Sequence, residues 1–304
     1  MPTIETVTGS VDSAEIGLTL PHEHLFVDML GPDDPRFGQV DGPIIRDECS
    51  RTLTELRRLG VDFLVDCTAL GIGRNVALLS DVSLATGVRI VCSTGIYKAL
   101  VPTELRDAAP EELAARFVQE LTEGIAGTDV RAGVIKLATT ESGATPRETD
   151  VHRAGAMAAV ATGSAIVLHS PHAEVTHDVV AVLEGESFDP ARLIWAHAHD
   201  STLEENLELA ERGVTISYDA ISARDDAEMV DRIGVLDRKG FGDRVIVSTD
   251  TSMWVNPLDL AYDRSIEHLL GVFLPRLEAR LGADARRRLT HENPARAIAR
   301  PTRG

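Results

Sequence analysis

His22 and His24 flank Glu23 at the end of the apolar run Leu18-Thr19-Leu20-Pro21. In a strand, residues i and i+2 share a face, so both imidazoles can leave the end of a strand in one direction. Neutral imidazoles that converge in this way form half of a divalent metal site. An HxH pair also occurs as two ordinary hydrogen-bonded histidines, so the other ligands must come from elsewhere in the chain. Candidates stand at the ends of later apolar runs. Lys136 lies in Val134-Ile135-Lys136-Leu137, and His169 follows Val167-Leu168. His197 and His199 close Ile194-Trp195-Ala196-His197-Ala198-His199-Asp200, and Asp250 follows Ile246-Val247-Ser248-Thr249.

Each of these has a plainer role when taken alone. His169 serves as a hydrogen-bonded core histidine, Asp250 as a helix N-cap, and Lys136 as a lysine that snorkels to solvent. Taken jointly, five of the ten histidines, one aspartate and one lysine fall at run ends. Two cations need about this many nitrogen and oxygen donors. A bare ammonium cannot bind a metal. Lys136 can take part only once carbon dioxide has converted its amine to a carbamate, whose carboxylate can bridge two cations. Water between such cations is a hydroxide near neutral pH, aimed at a carbonyl or phosphoryl centre. Asp250 is the group to hold it and take its proton.

These side chains need a frame that gathers run ends on one rim. After a hairpin over residues 5–17, short apolar strands alternate with helical sequence. The first strand runs toward Pro21, and others are read at 61–67, 88–93, 132–138, 165–168, 192–196, 213–218 and 244–248. Helical spacing is read at 45–59, 75–85, 110–125, 147–162, 175–183, 203–211, 227–239 and 259–281. Strands apolar on both faces are those of a parallel sheet covered by helices. Eight βα units in 304 residues predict a (β/α)8 TIM barrel with a short N-terminal β-hairpin, one domain over 1–304. An open dinucleotide-binding sheet would place a glycine-rich loop after strand one. Pro21-His22-Glu23-His24 stands there instead, and Gly71-Ile72-Gly73 reads as a tight turn.

With 48 acidic and 30 basic residues the net charge is −18, which disfavours nucleic acid and anionic membranes as partners. No apolar run is long enough to cross a bilayer and no secretory signal is visible, so a cytoplasmic location is expected. Cys49, Cys67 and Cys92 lack a CxxC spacing, which fits a reducing compartment, and Cys67 and Cys92 read as small core residues.

The sequence resembles the phosphotriesterase-like family of the amidohydrolase superfamily, including its lactonases. The shared features are His22-Glu23-His24, Gly71-Ile72-Gly73-Arg74, Thr94-Gly95-Ile96-Tyr97, Ile135-Lys136, His169, His197, Asp250 after Ser248, and Asn293-Pro294. The resemblance implies a TIM barrel with two divalent metals, most often zinc, sometimes cobalt, manganese or iron. It implies that His22, His24 and Asp250 hold the buried metal and His169 and His197 the exposed one. Carboxylated Lys136 and a hydroxide would bridge them. It also implies a homodimer, formed through the rim loops after strands two and three.

Some positions depart from the family pattern. Ala196 stands where glycine is usual before His197. His199 sits where the family often has an acidic residue, and is open to a role in the loop, as a competing ligand or at the substrate. After Ser217-Tyr218-Asp219 comes Ala220, where acyl-homoserine lactonases place an arginine. Tyr97 resembles the tyrosine that lactonases point at the hydroxide or substrate oxygen, and it could equally be a packing aromatic. The expected activity is lactone hydrolysis of a small-molecule substrate, with promiscuous phosphotriesterase activity. Carboxylic ester hydrolysis, amide (N-acyl) hydrolysis and a dedicated organophosphate triesterase are the alternatives. A barrel that only binds small molecules is the non-enzymatic one. The catalytic candidates are Asp250, Lys136 and Tyr97. Tyr97, Trp254, Tyr262 and His199 are the candidate substrate contacts, with Arg74 as a weaker one. Met253, Trp254, Val255 and Pro257 form either an apolar wall or packing for the next helix.

Overall fold

The computed structural model describes residues 1–257 and 265–301. Thr3–Thr6 (β1) and Gly9–Asp12 (β2) pair as an antiparallel hairpin. It is shorter and begins earlier than the 5–17 expected, because Ser13–Glu15 leaves it as a 3₁₀ turn capped by Asp12. The barrel strands follow: Leu18–Asp28 (β3), Val61–Asp66 (β4), Arg89–Ile96 (β5), Val134–Ala138 (β6), Ile166–His169 (β7), Leu193–Ala196 (β8), Thr215–Tyr218 (β9) and Val245–Val247 (β10). Each pairs in parallel with the next. Between them lie Gly42–Arg58 (α1), Val76–Thr86 (α2), Pro110–Thr122 (α3), Pro146–Thr162 (α4), Ala173–Gly185 (α5), Leu203–Glu211 (α6) and Asp226–Arg238 (α7).

Helix starts follow local chemistry. Asp41, Asn75, Thr145, Thr202 and Asp225 each accept an amide of the first turn, and Pro43, Pro110 and Pro146 sit where a missing N–H costs nothing. The long C-terminal helix was expected over 259–281. Its described part runs from Ile266 to Leu281 with a π turn over Leu269–Phe273.

A ninth strand, Ser252–Asn256 (β11), pairs in parallel with the upper half of β3. From the sequence, no strand is expected between 248 and 259. Between β10 and β11 the chain passes beside β3 and joins the two ends of the sheet. The His22 amide donates to Ser248 Oγ at 3.0 Å. The Asp250 amide donates to the His22 carbonyl at 3.1 Å, and the His24 amide to the Thr251 carbonyl at 2.9 Å.

Strand alternation divides the core in two. One cluster fills the barrel: Phe63, Val65, Val91, Val134, Val167, Ile194 and Ile246, with Ile4, Ile16 and Ile298 closing its base. The larger cluster lies between sheet and helices and includes Leu64, Ile90, Ile135, Leu168 and Trp195. Parity then places the chemistry. Two residues on from inward Val134 is Lys136, and two on from inward Val167 is His169. The three cysteines are fully buried, Cys67 inside the barrel and Cys49 and Cys92 outside it.

Candidate metal centre

A cavity of about 460 Å³ opens at the carboxyl ends of the strands. His22, His24, Tyr97, Lys136, His169, His197, His199 and Asp250 all line it. The structure therefore brings together six positions read as ligands, from β3, β6, β7 and the segments after β8 and β10. His22 and His24 lie with ring centres 5.6 Å apart, as the HxH spacing requires. His197 and Asp250 have φ of 67° and 52°. That left-handed backbone is uncommon for residues other than glycine, and it turns both side chains off the strand ends into the cavity.

The ring nitrogens are sorted by their partners. His22 Nδ1–H donates to Asp219 Oδ2 at 2.6 Å. His24 Nδ1 pairs with Thr68 Oγ1 at 2.8 Å. His197 Nδ1 stands 3.0 Å from Asp219 Oδ1. In each case Nε2 is the nitrogen left for the cavity, and these three point at Asp250. Its Oδ1 is 3.4 Å from His22 Nε2 and 3.2 Å from His24 Nε2, and its Oδ2 is 4.0 Å from His197 Nε2. His169 faces the cluster with Nδ1, 2.6 Å from His197 Nε2, and its own Nε2 is 3.3 Å from the Tyr97 hydroxyl. Ligand atoms of His22, His197 and Asp250 converge to within 4.8 Å. Such orientation of histidines by carboxylates and hydroxyls is the usual support of metal-binding imidazoles.

Electrostatics fit the same purpose. Burial, then the nearby Lys136, holds His22 down to about 4 despite Asp250 and Asp219. Burial and the His197 charge hold His169 well below its ordinary value. Both rings are thus neutral, as ligation requires. Burial opposes the charge on His197, but Asp219 outweighs it and its pKa is raised. Burial likewise opposes ionisation of Asp250 and Asp219, yet the surrounding histidines hold both well below the usual carboxylate range.

Lys136 tests whether this donor set fits two cations. Its side chain is fully buried, and Nζ lies 2.9 Å from His22 Nε2. Among the described residues no carboxylate stands at ion-pair distance from it. A buried ammonium without a counter-ion is a costly arrangement. A carbamate on Nζ turns the same position into an oxygen donor, so the residues fit a bridged pair of divalent cations. Gly95 allows this packing. It has φ 103°, and a Cβ there would overlap the Lys136 carbonyl.

The strand-end argument did not single out Asp219. It is fully buried, contacts His22 and His197, and lies 3.3 Å from His199 Nδ1. The available signal was its place at the end of a strand, the same place that marked His169. Glu23 turns away from the cavity. Its carboxylate accepts from Ser248 Oγ at 2.7 Å and from the Thr249 and Thr251 amides at 2.9 and 2.6 Å. His199 is buried and lines the cavity, with Nε2 3.6 Å from Asp200 Oδ2. Val27, Ile72 and Val255 supply apolar wall, and Arg224, joined to Asp200, stands on the same lining.

Two substrate candidates are corrected. Trp254 is not part of the lining. It is half-buried and packs, like Met253, against the core outside the barrel, while Ser252 and Val255 of the same strand line the cavity. Arg74 is drawn into a buried ion pair with Glu120 at 2.5 Å and donates to the Ser93 carbonyl. Gly71 and Gly73, both at positive φ, form the tight turn before it. Tyr262 lies outside the described residues.

Barrel, rim and donor set define an α/β barrel whose strand ends could hold a divalent metal. The profile of the Phosphotriesterase family matches residues 2–298, and the chain belongs to that family. A phosphotriesterase homology protein of Mycobacterium tuberculosis is 32% identical over 300 residues, covering 90% of this chain and 86% of its own. An aryldialkylphosphatase of Saccharolobus solfataricus is 29% identical, covering 79% of each chain. An N-acetyltaurine hydrolase of Danio rerio is 24% identical, covering 81% of this chain and 83% of its own. Among solved structures, the organophosphorus hydrolase of Deinococcus radiodurans superposes with a TM-score of 0.86 at 31% identity, covering 97% of this chain and 96% of that one. A mutant PTE-like lactonase of the same organism gives a TM-score of 0.85 at 31% identity, covering 97% and 100%.

Proposed function

We propose that this hydrolase opens a lactone ring, with phosphotriester hydrolysis as a side activity. The observation that carries the reading is the Tyr97 hydroxyl, 3.3 Å from His169 Nε2 on the cavity wall. A phenol there can donate to a carbonyl or ring oxygen held beside the donor cluster. The resemblance to lactonases through this tyrosine supports the same choice. Ala220, which replaces the arginine of acyl-homoserine lactonases, argues for a different lactone.

His22, His24 and Asp250 would hold one divalent cation and His169 and His197 a second, with Lys136 carboxylated on Nζ between them. Imidazole and carboxylate donors suit zinc, and also cobalt, manganese or iron. Bound there, the cations would polarise the scissile carbonyl and make water acidic enough to give a nucleophile at neutral pH. Asp250 takes the proton of that water as its oxygen bonds to the carbonyl carbon. The ring C–O bond then breaks, and Asp250 returns the proton to the departing oxygen. Tyr97 orients the substrate oxygen, Asp219 holds the His22 and His197 rings, and Val27, Ile72 and Val255 bury the apolar part of the substrate. The assembly is a homodimer through the rim loops after β4 and β5, which sedimentation velocity would test.

A second reading, hydrolysis of an N-acyl amide, rests on the relatives named N-acetyltaurine hydrolase. A substrate panel on protein loaded with two equivalents of zinc separates the readings. Lactones should exceed N-acyl amino acids, aryl esters and aryl dialkyl phosphates by at least about tenfold in kcat/KM. An N-acyl amide at the head of that order would replace the lactone reading with the second. Less than one zinc bound per chain would remove both.

A further inference from the structure

A second cavity, also about 460 Å³, lies at the opposite end of the barrel from the metal-donor rim. Pro2, Arg192, Ala295, Arg296, Ala299 and Pro301 line it, so its walls are apolar apart from two guanidinium groups and the polar Ser13 and Glu292. It is framed by the N-terminal hairpin, the entry to β8 and the C-terminal helix Asn293–Ile298, three segments distant in sequence.

The two arginines are short of acceptors. Arg192 is half-buried, and burial lowers its pKa. Its Nη2 donates to the Gly163 carbonyl at 2.9 Å, and its buried Nε has no partner among the described residues. No carboxylate stands at ion-pair distance from it among the described residues. Arg296 donates to the Asn293 side chain at 2.6 Å and to the Asp243 carbonyl, and among the described residues it likewise has no carboxylate partner. Glu292 does not neutralise them, because it is paired with Arg287 at 2.9 Å.

The neighbourhood makes this informative. Residues 274–304 hold eight arginines against three acidic side chains, in a chain of net charge −18. Arg276, Arg280, Arg286, Arg287 and Arg288 each face a carboxylate. Arg192 and Arg296, the pair on the cavity, do not. A guanidinium has five N–H donors and matches a carboxylate with two of them. An inorganic oxyanion would satisfy the donors but leave the apolar walls wet.

We propose that this basal cavity is a binding site for a short-chain aliphatic carboxylate, its head on Arg192 and Arg296 and its tail against Pro2, Ala295, Ala299 and Pro301. The site stands apart from the hydrolytic cavity and from the choice of substrate there.

Calorimetric titration of the metal-loaded protein with sodium octanoate, below its micellar concentration, tests the assignment. Arg192→Gln should weaken octanoate binding at least tenfold and leave kcat/KM on the best substrate of the panel unchanged. Ala295→Phe, which fills the cavity but keeps both guanidiniums, should weaken it equally. That variant decides the matter if Arg192→Gln does not fold. 1-Octanol should give no binding heat, and inorganic phosphate should bind at least tenfold more weakly than octanoate. Octanoate binding that persists in Ala295→Phe would overturn the proposal, since the ligand would then sit elsewhere. Equal binding of octanol would remove the role of the arginines, and equal binding of phosphate the role of the apolar walls.

Discussion

Asp219 shows how one side chain can set the chemistry of a site it does not line. It is fully buried behind the cluster and fixes which nitrogen of His22 and of His197 faces the cavity, at 2.6 Å and 3.0 Å. The neighbouring histidines, His197 above all, in turn hold it ionised in spite of its burial. An asparagine there keeps the shape but offers only one acceptor oxygen to two imidazoles. Support of this kind commonly changes metal affinity about 10–100-fold. Asp219→Asn should therefore lower zinc affinity by that factor, measured by competition with a chromophoric chelator, while far-ultraviolet circular dichroism stays the same. Unchanged zinc affinity would reduce Asp219 to a packing residue. Lys136→Ala carries the complementary expectation: loss of one of two zinc equivalents by elemental analysis, recovered with added propionate. Two equivalents retained without a carboxylate would remove Lys136 from the donor set.

At the scale of elements, the seam between β3 and the segment joining β10 to β11 couples barrel closure to the site. Glu23 sits between two histidines of the donor cluster, yet its carboxylate binds Ser248, Thr249 and Thr251 on the other side of the seam. Burial pushes its carboxyl up to about 8, against those donors, which favour the charged form. Above about pH 8, where the carboxylate is charged, Glu23→Gln replaces one acceptor oxygen with an NH₂ that faces donors. A cost of about 1–3 kcal/mol is expected for the group left unsatisfied, read as a lower urea midpoint with unchanged slope. A midpoint equal to that of the parent would mean that the backbone bonds alone hold the seam. Alternation made most of this level readable from the chain. Lys136 and His169 follow inward valines by two residues, and His22 and His24 follow each other by two. The segment Ser252–Asn256 was opaque because strand and loop look alike over five residues. Its strand character comes from pairing with β3, a contact 228 residues away in sequence at Ser252 and His24. For the same reason Trp254 was assigned to the cavity, since a side chain's direction depends on a pairing that no local pattern announces. Arg74 was misread because its partner Glu120 lies on α3, 46 residues further along the chain.

For the whole molecule, pH acts in two opposed ways. The net charge of −18 repels itself at neutral pH, and the repulsion relaxes as pH falls toward the isoelectric point near 4.9. His152 works in the other direction. It is fully buried on α4, with Nε2 3.1 Å from the Ala138 carbonyl and Nδ1 without a partner among the described residues. Burial lowers its pKa from 6.5 to about 4. Between those values the unfolded chain binds a proton that the folded chain refuses. Unfolding is therefore favoured progressively as pH drops, and stability is unaffected by this group above 6.5. A shift of this size corresponds to about 3 kcal/mol lost by pH 4. His152→Gln can still donate to the Ala138 carbonyl but does not titrate. Urea unfolding of parent and variant across pH 8 to 4 should give curves that are offset but parallel above 6.5. Below it the parent should fall by up to about 3 kcal/mol relative to the variant. Contributions from the surface charge and from the other histidines are common to both proteins and cancel in the difference. Curves parallel over the whole range would show that His152 takes up its proton in the folded protein, so that Nδ1 finds an acceptor through a rearrangement of α4 against β6.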